Sequence, residues 1–423
     1  MRSRTFWVLD DEDEAVVDDL AVGLGRTPAR VLAYLLLRAE REDDPARTIQ
    51  LQVGTELSRS PISDAVARLE DDELVERSTV DTDATGRPPS AWTPATDLDT
   101  SRRRVYDCHA ETLLERAEAI FGRCSDTDSA TGDERSGSEL AVALNWHPNG
   151  LHVPFYAAVE TGWYDEYGIE VELDHRAGSR RAVDAVDAGD ADVGVAGAAT
   201  VLRARAAGVP VVPIAVLYQR AMAVLYSTRE AFGTELRSVD QLRGRRIGMP
   251  ARSETGVLGR LFVSQAALGD DLEITATAGE ERAALLSGEA DVVTGSITDP
   301  RQLERQGETV DTLFPTDHFP IYGPTIVARE SALRERRSAL ASFLAGTVGG
   351  WIEATDDADR AAERIADRGD DEPDRVRETF ERAVEEFGHS DDSRERGWGW
   401  QREQTWNRLR TALEQGELLA TDP

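Results

Sequence analysis

LNWHPNGLHVPFYAAVETGWYDEYGIEVELDH, residues 144–175, is the stretch from which the fold is read. A short apolar strand, Ala141 to Leu144, runs into a polar, aromatic turn, Asn145-Trp146-His147-Pro148-Asn149-Gly150. A helix carrying His152, Phe155 and Tyr156 follows, then a Gly-aromatic turn at Gly162-Trp163-Tyr164. A second strand, Ile169 to Leu173, alternates apolar and charged residues, the period of a half-buried strand. A strand that delivers Asn, Trp and His to the start of a helix builds a pocket in which a flat ring can stack and hydrogen-bond. Asn145 offers a donor and an acceptor, Trp146 and Tyr156 offer stacking faces, and His152 a switchable nitrogen. Taken singly, Trp146 and Phe155 also fit an ordinary core, and His152 a helix-start hydrogen bond. Their clustering after one strand favours the pocket.

The pattern continues outward from this stretch. Arg181 to Ala188 reads as a helix, Ala191 to Ala196 as a buried strand, Thr200 to Ala207 as a helix and Val209 to Val216 as a strand. Gly197, Ala198 and Ala199 are small enough to let the backbone approach a ligand. Ala283 to Val293 repeats the helix-turn-strand pattern of Ala182 to Val195. Alternating elements in this order imply α/β architecture, two similar lobes with a ligand in the cleft between them. From Ser331 on the chain reads as helical, with Trp351, Phe380, Phe387, Trp398, Trp400 and Trp406 as core residues.

These segments resemble the thiamine-pyrimidine-precursor family, which covers solute-binding proteins of pyrimidine and related importers and the fungal-type pyrimidine synthases. The opening stretch, Asp187 to Val195, Leu242 to Met249, Pro250 to Gly256 and Phe319 to Pro324 carry the resemblance in the family's order. It implies a two-lobed, type II periplasmic-binding-protein-like domain, expected over 139–423. It also implies a cleft lined by Asn145, Trp146, His152, Tyr156, Ala198, Ser253, Glu254, Thr255 and Tyr322, suited to an aminopyrimidine. Pro250 to Gly256 would meet the ligand's polar end at a helix N-terminus, where free N–H groups favour anionic or carbonyl groups. Relatives of this fold also take riboflavin-like molecules, alkyl sulfonates and nitrate, and Arg252 suits a sulfonate. The synthases hold pyridoxal phosphate through a lysine and carry a cysteine-rich segment; His152 matches their histidine by position. This chain has no lysine, so no Schiff base can form. Binding without catalysis is expected, with no cofactor and no metal.

The net charge is −32, and every one of the 48 basic residues is arginine. Such a surface suits hydration in concentrated salt, which points to a haloarchaeal type of protein; the alternative is an ordinary acidic protein from a GC-rich genome. The opening MRSRTFWVLDDEDEAVVDDL lacks the basic and apolar regions of an export signal, so a cytoplasmic setting is expected. Cys108 and Cys124 match no zinc or redox spacing.

Residues 1–98 read as a second module. Val16, Val17, Leu20 and Leu24 share a helical face that Gly25 ends, Thr27 and Pro28 start another helix, and Ser60-Pro61 start a third. Leu74 to Ser78 and Ala91 to Thr93 read as strands around a tip at Thr82 to Pro89. This order resembles the winged helix-turn-helix of small dimeric repressors and archaeal-type regulators. The resemblance implies DNA contacts from Ser58, Arg59, Ser60, Ser63 and Arg68 on the recognition helix and from Arg87 in the wing. The alternative is a protein-docking module, which the segment's net acidity favours. Val105, Cys108, Thr112, Leu113, Ala117 and Ile120 form a stripe on a helix over Thr100 to Phe121. Pairing of that helix (99–122) with a second copy would give a homodimer; the alternative is packing on its own chain. Residues 123–138 read as a flexible linker. Together these readings predict a cytoplasmic, ligand-sensing transcription regulator that binds double-stranded DNA. The alternative is an importer-type solute-binding protein with an N-terminal docking module.

Overall fold

Glu14–Leu24 is helical as its apolar spacing predicts, and Gly25 stops it at φ +77°, donating its N–H to Ala21 O at 2.7 Å. The computed structural model describes residues 7–42, 44–79, 90–122, 139–251, 253–268, 271–369 and 371–419. The next helix, Arg26–Ala39, begins directly after Gly25 rather than at Thr27. Pro28 is still tolerated, because the first helical turn has no intrahelical partner for its N–H groups. Helices Thr48–Thr55 and Arg59–Asp71 follow, the latter with Ser58 rather than Ser60 at its N-cap. Strands β1 (Ala46–Arg47), β2 (Val75–Thr79) and β3 (Ser90–Pro94) form an antiparallel sheet in the order β1-β3-β2. The expected wing tip with Arg87, and the expected linker over 123–138, lie outside the described residues.

Helix Leu98–Phe121 corrects the expectation of a dimer seam. Its buried face is Val105, Tyr106, His109, Ala110, Leu113, Leu114 and Ala117, broader than the stripe read from the sequence. The same chain covers it. Tyr106 packs at 5.6 Å from Trp163, Phe121 at 5.4 Å from Trp406, and Arg337 pairs with Glu111 and Glu118 at 2.9 and 3.0 Å. An apolar face already buried within one molecule has nothing left to offer a second copy.

The remaining strands build two mixed sheets. The first lobe uses β4 (Glu139–Leu144), β5 (Glu170–His175), β6 (Val193–Gly197) and β7 (Val211–Val216). The second uses β8 (Ala223–Thr228), β9 (Arg246–Pro250), β10 (Glu273–Thr277), β11 (Val292–Ser296) and β12 (Val310–Leu313). The chain then returns, and β13 (Pro324–Arg329) enters the first sheet antiparallel between β6 and β7. The strand orders are β5-β4-β6-β13-β7 and β10-β9-β11-β8-β12. The two lobes are built alike: β4 pairs in parallel with β5 and β6, as β9 does with β10 and β11. Continuous apolar strands β6 and β7 are buried on both faces, whereas β5, at the edge, alternates as its sequence does.

Helix Arg337–Asp356 packs on helix Val153–Glu160 through small residues: a Cβ on Gly350 would lie 2.3 Å from Pro154 O. Further on, the backbone between Phe387 and Arg402 touches two parts of the molecule. Arg220 N–H donates to Phe387 O and Val216 N–H to Gly399 O, at 3.1 and 2.9 Å, where the chain leaves the first lobe. Trp398 N–H donates to Val22 O at 2.7 Å, and His109 Nε2 donates to Trp398 O at 2.6 Å, in the N-terminal segment. One core therefore runs from Val17 and Leu32 through Leu113 to Ile214 and Phe343. Among the described residues no helix is long and apolar enough to cross a membrane.

Candidate functional site at the facing strand ends

Parallel strands end on the same side of a sheet, and ligands of open α/β sheets sit beyond those carboxyl ends. In the first lobe the pairing of Leu144 with His175, and of Ala143 with Gly194, brings three ends together. Asn145 and Trp146 follow β4, His175 closes β5, and the helices Ser179–Ala188 and Ala198–Ala206 start close by.

Hydrogen bonds join these groups. His152, 1% exposed, contacts Asn145 Oδ1 at 3.1 Å through Nε2. An amide oxygen only accepts, so Nε2 carries the proton, and Nδ1 is left to accept from Asn149 Nδ2 at 3.4 Å. Asn145 Nδ2 points at Ser179 Oγ (3.5 Å), which also accepts from Gly197 N–H at 3.1 Å. His175 donates from Nδ1 to Trp146 O at 2.6 Å and accepts at Nε2 from Tyr156 OH at 2.8 Å. The two imidazoles lie 5.4 Å apart. Burial, and then the neighbouring His175, push the His152 pKa down to about 3; burial also lowers that of His175. Both rings are thus neutral at pH 7. Trp146 is 53% exposed, unusual for so large an apolar ring, whereas Phe155, Trp163 and Tyr164 are buried in the core.

The second lobe contributes the turn after β9. Ser253 caps the helix Glu254–Gln265, its Oγ accepting from Gly256 N–H at 3.1 Å and lying 2.9 Å from Thr255 Oγ1. Glu254 reaches across to the first lobe. Its carboxylate accepts from Ala199 N–H at 3.0 Å, Thr200 N–H at 2.9 Å and Thr200 Oγ1 at 2.6 Å. Burial pushes the Glu254 carboxyl up, while these hydrogen bonds and Arg203 favour its charge. Gly197 makes room, since a Cβ there would lie 2.3 Å from Glu254 Cδ.

Of the residues expected at the cleft, Asn145, Trp146, His152 and Tyr156 gather at the first lobe's strand ends. Glu254 docks where the lobes touch, on Ala199 and Thr200 just after Ala198, with Ser253 and Thr255 beside it. Tyr322 is elsewhere: it packs 5.3 Å from Trp406, and its hydroxyl accepts from Arg402 N–H at 2.8 Å. Arg252 lies outside the described residues. His175, Ser179, Thr200 and Arg368, whose guanidinium sits 5.7 Å over the Tyr156 ring, were not foreseen. His175 had a signal, as the last residue of an alternating strand; Arg368, nearly two hundred residues on, had none. Two cavities lie away from these strand ends. One, of about 350 Å³, is walled by acidic residues around Asp356 and Glu385; the other, of about 150 Å³, lies between Arg68, His109 and Arg396. Among the described residues no cluster of His, Cys, Asp and Glu could hold a metal ion.

Two α/β lobes joined by crossing segments, with polar and aromatic groups at their facing strand ends, define the periplasmic-binding-protein-like class of α/β proteins. The chain belongs to the family described as NMT1/THI5 like, whose profile matches residues 149–361. It is 27% identical over 230 residues to a riboflavin-binding protein of Chloroflexus aurantiacus, covering 53% of this chain and 64% of that relative's length. It is 24% identical over 249 residues to a formylaminopyrimidine-binding protein of Halalkalibacterium halodurans, covering 57% of this chain and 74% of the relative. The structure of the periplasmic aliphatic sulphonate binding protein of Escherichia coli shares the fold (TM-score 0.54, 13% identity) over 68% of this chain and 95% of that one.

These relatives overturn the expectation of a DNA-binding transcription regulator: they are binding proteins for small solutes, and the matched family covers the lobes. The helix Arg59–Asp71 agrees with the correction. Arg68 does not project toward a groove; its guanidinium donates to Leu24 O at 2.7 Å and lies 3.7 Å from Asp72. Ser58, Arg59, Ser60 and Ser63 are exposed, but so are Glu56 and Asp64, which flank them. The cytoplasmic setting is likewise withdrawn, since the solved relative with this fold is periplasmic.

Proposed function

We propose that the chain is the solute-binding component of an importer of the ABC type, capturing a small, flat, polar heteroaromatic solute of pyrimidine or flavin type between its lobes. The observation that carries this reading is the pairing of an exposed indole, Trp146, with neutral His152 and His175 and the amide of Asn145 at one sheet edge. Neutral donors and acceptors beside a free π-face suit a heterocycle, whereas a fully charged group would want a counter-ion there. On this reading the protein works where importers collect solute, and its acidic, lysine-free surface keeps it hydrated in concentrated salt. Its N-terminal helices and the β1-β3-β2 sheet serve as a docking module. Riboflavin binding by one relative and formylaminopyrimidine binding by another support the solute class.

Calorimetric titration with 4-amino-2-methylpyrimidines and with riboflavin tests the reading. Saturable binding of one of them is expected, with Trp146→Ala weakening it about tenfold, as loss of a stacking partner should. Asn145→Ala should do the same. Absence of binding by both solute types, or a Trp146→Ala chain with unchanged affinity, would refute it.

A further inference from the structure

We infer that Glu254 acts as an internal anion that latches the two lobes and masks an anion-binding cradle on the first lobe, thereby selecting against solutes that carry a sulfonate, phosphate or carboxylate. The inference rests on the solute-binding reading and narrows its solute class.

Three observations carry it. First, the carboxylate comes from the second lobe and its three donors from the first: Ala199 N–H, Thr200 N–H and Thr200 Oγ1 at 3.0, 2.9 and 2.6 Å. These donors open the helix Ala198–Ala206, whose positive end favours any oxyanion. Arg203, further along the same helix, adds to that preference. A carboxylate, a sulfonate and a phosphate all present two or more oxygens that this arrangement accepts, so Glu254 stands where such a group of a solute would bind.

Second, the backbone is shaped around the carboxylate. Any side chain at Gly197 would collide with it, and a Cβ at Gly256 would lie 1.9 Å from Pro250 O, so the turn that presents Glu254 cannot be relaxed by larger residues. Third, Glu254 is the first residue of its own helix, whose Ser253 cap holds it in place. It is a rigid arm rather than a surface carboxylate that has found a partner.

An anionic solute must therefore displace a tethered competitor at high effective concentration, while a neutral heterocycle on Trp146 leaves the latch undisturbed. Glu254 is thus a specificity-determining residue that acts by prior occupation.

The test uses the full chain, with methanesulfonate and inorganic sulfate as probes. The wild-type protein should bind both at least tenfold more weakly than Glu254→Ala, and adding Thr200→Val to Glu254→Ala should abolish the gain. Glu254→Gln, nearly equal in volume, guards against misfolding; it replaces an acceptor oxygen by a donor NH2 that faces an N–H, and should also loosen the lobes. Small-angle scattering without added solute should give a larger radius of gyration for both single variants than for wild type. Equal anion affinities in wild type and Glu254→Ala, or unchanged scattering in both single variants, would overturn the latch. Parallel titration with aminopyrimidine and riboflavin separates the two readings. A wild type that binds a heterocycle, with a variant that gains no anion, removes the latch alone. A wild type that binds neither heterocycle removes the solute-binding reading, and the anion gain still decides the latch.

Discussion

His152 is held neutral from both ends of its ring: Nε2 faces an acceptor, Nδ1 faces a donor amide, and almost no water reaches either. Its pKa of about 3 in the fold, against 6.5 when free, ties stability to pH. The unfolded chain takes up the proton first, so this contribution is complete above pH 6.5 and is lost as pH falls toward 3. Over the whole window the effect is on the order of 4 kcal/mol, and between pH 6.5 and 4.5 about 2 kcal/mol. His109, lowered to about 4 by burial, adds in the same sense. His152→Gln, which keeps a donor toward Asn145, should therefore flatten the acid limb of urea-unfolding free energy by about 2 kcal/mol between those pH values. Parallel pH slopes for the two proteins would show that the imidazole does not titrate as described. At this scale the sequence was informative about residue type and poor about partners. Asn145, Trp146 and His152 stand within eight residues of one another, so their clustering is visible in the chain itself. Thr200 is where Glu254 docks, which no local pattern could reveal because the two residues belong to different lobes.

Helices and strands were legible wherever one face is buried and the other wet, as in Glu14–Leu24 and β5, because burial then imposes a period on the sequence. Boundaries were less so: Gly25 turns the chain so sharply that the next helix starts before the expected Thr27-Pro28 signal. The Leu98–Phe121 helix shows the larger limit. A stripe announces that something will cover it, but part of the cover, Arg337 and Trp406, comes from more than two hundred positions away, so own chain and second copy look alike from sequence. Packing of Arg337–Asp356 on Val153–Glu160 makes a sharper prediction. Gly350→Ala places a methyl 2.3 Å from Pro154 O and 2.7 Å from Ala158 N. Alanine improves helix propensity by roughly 1 kcal/mol, but forced separation of two buried helices should outweigh that, for a net loss of about 1–3 kcal/mol. Urea unfolding with an unchanged m-value measures it, and a variant as stable as wild type would mean that the helices part more easily than their contact implies.

For the molecule as a whole, the continuous core and the Phe387–Arg402 segment make the N-terminal helices part of the first lobe's folding unit. Hydrogen exchange should therefore protect amides in Leu98–Phe121 and in Arg337–Asp356 with the same opening free energy, within about 1 kcal/mol. Much weaker protection of the N-terminal helix would mean that the module opens on its own. The same segment hydrogen-bonds to the chain at the first lobe exit, which gives lobe movement a physical route to the N-terminal helices.

By itself the sequence determined the two α/β lobes, their internal likeness, and the polar and aromatic residues at the first sheet's edge. Each of those follows from local periodicity and from short runs of residues that share one strand end. Only the tertiary structure decided what covers the Leu98–Phe121 helix, why Tyr322 turns to Arg402 rather than to the cleft, and that a glutamate of one lobe fills the helix start of the other. These depend on contacts between residues far apart in the chain, and such contacts are set by how elements pack, which the pattern of any one element does not encode.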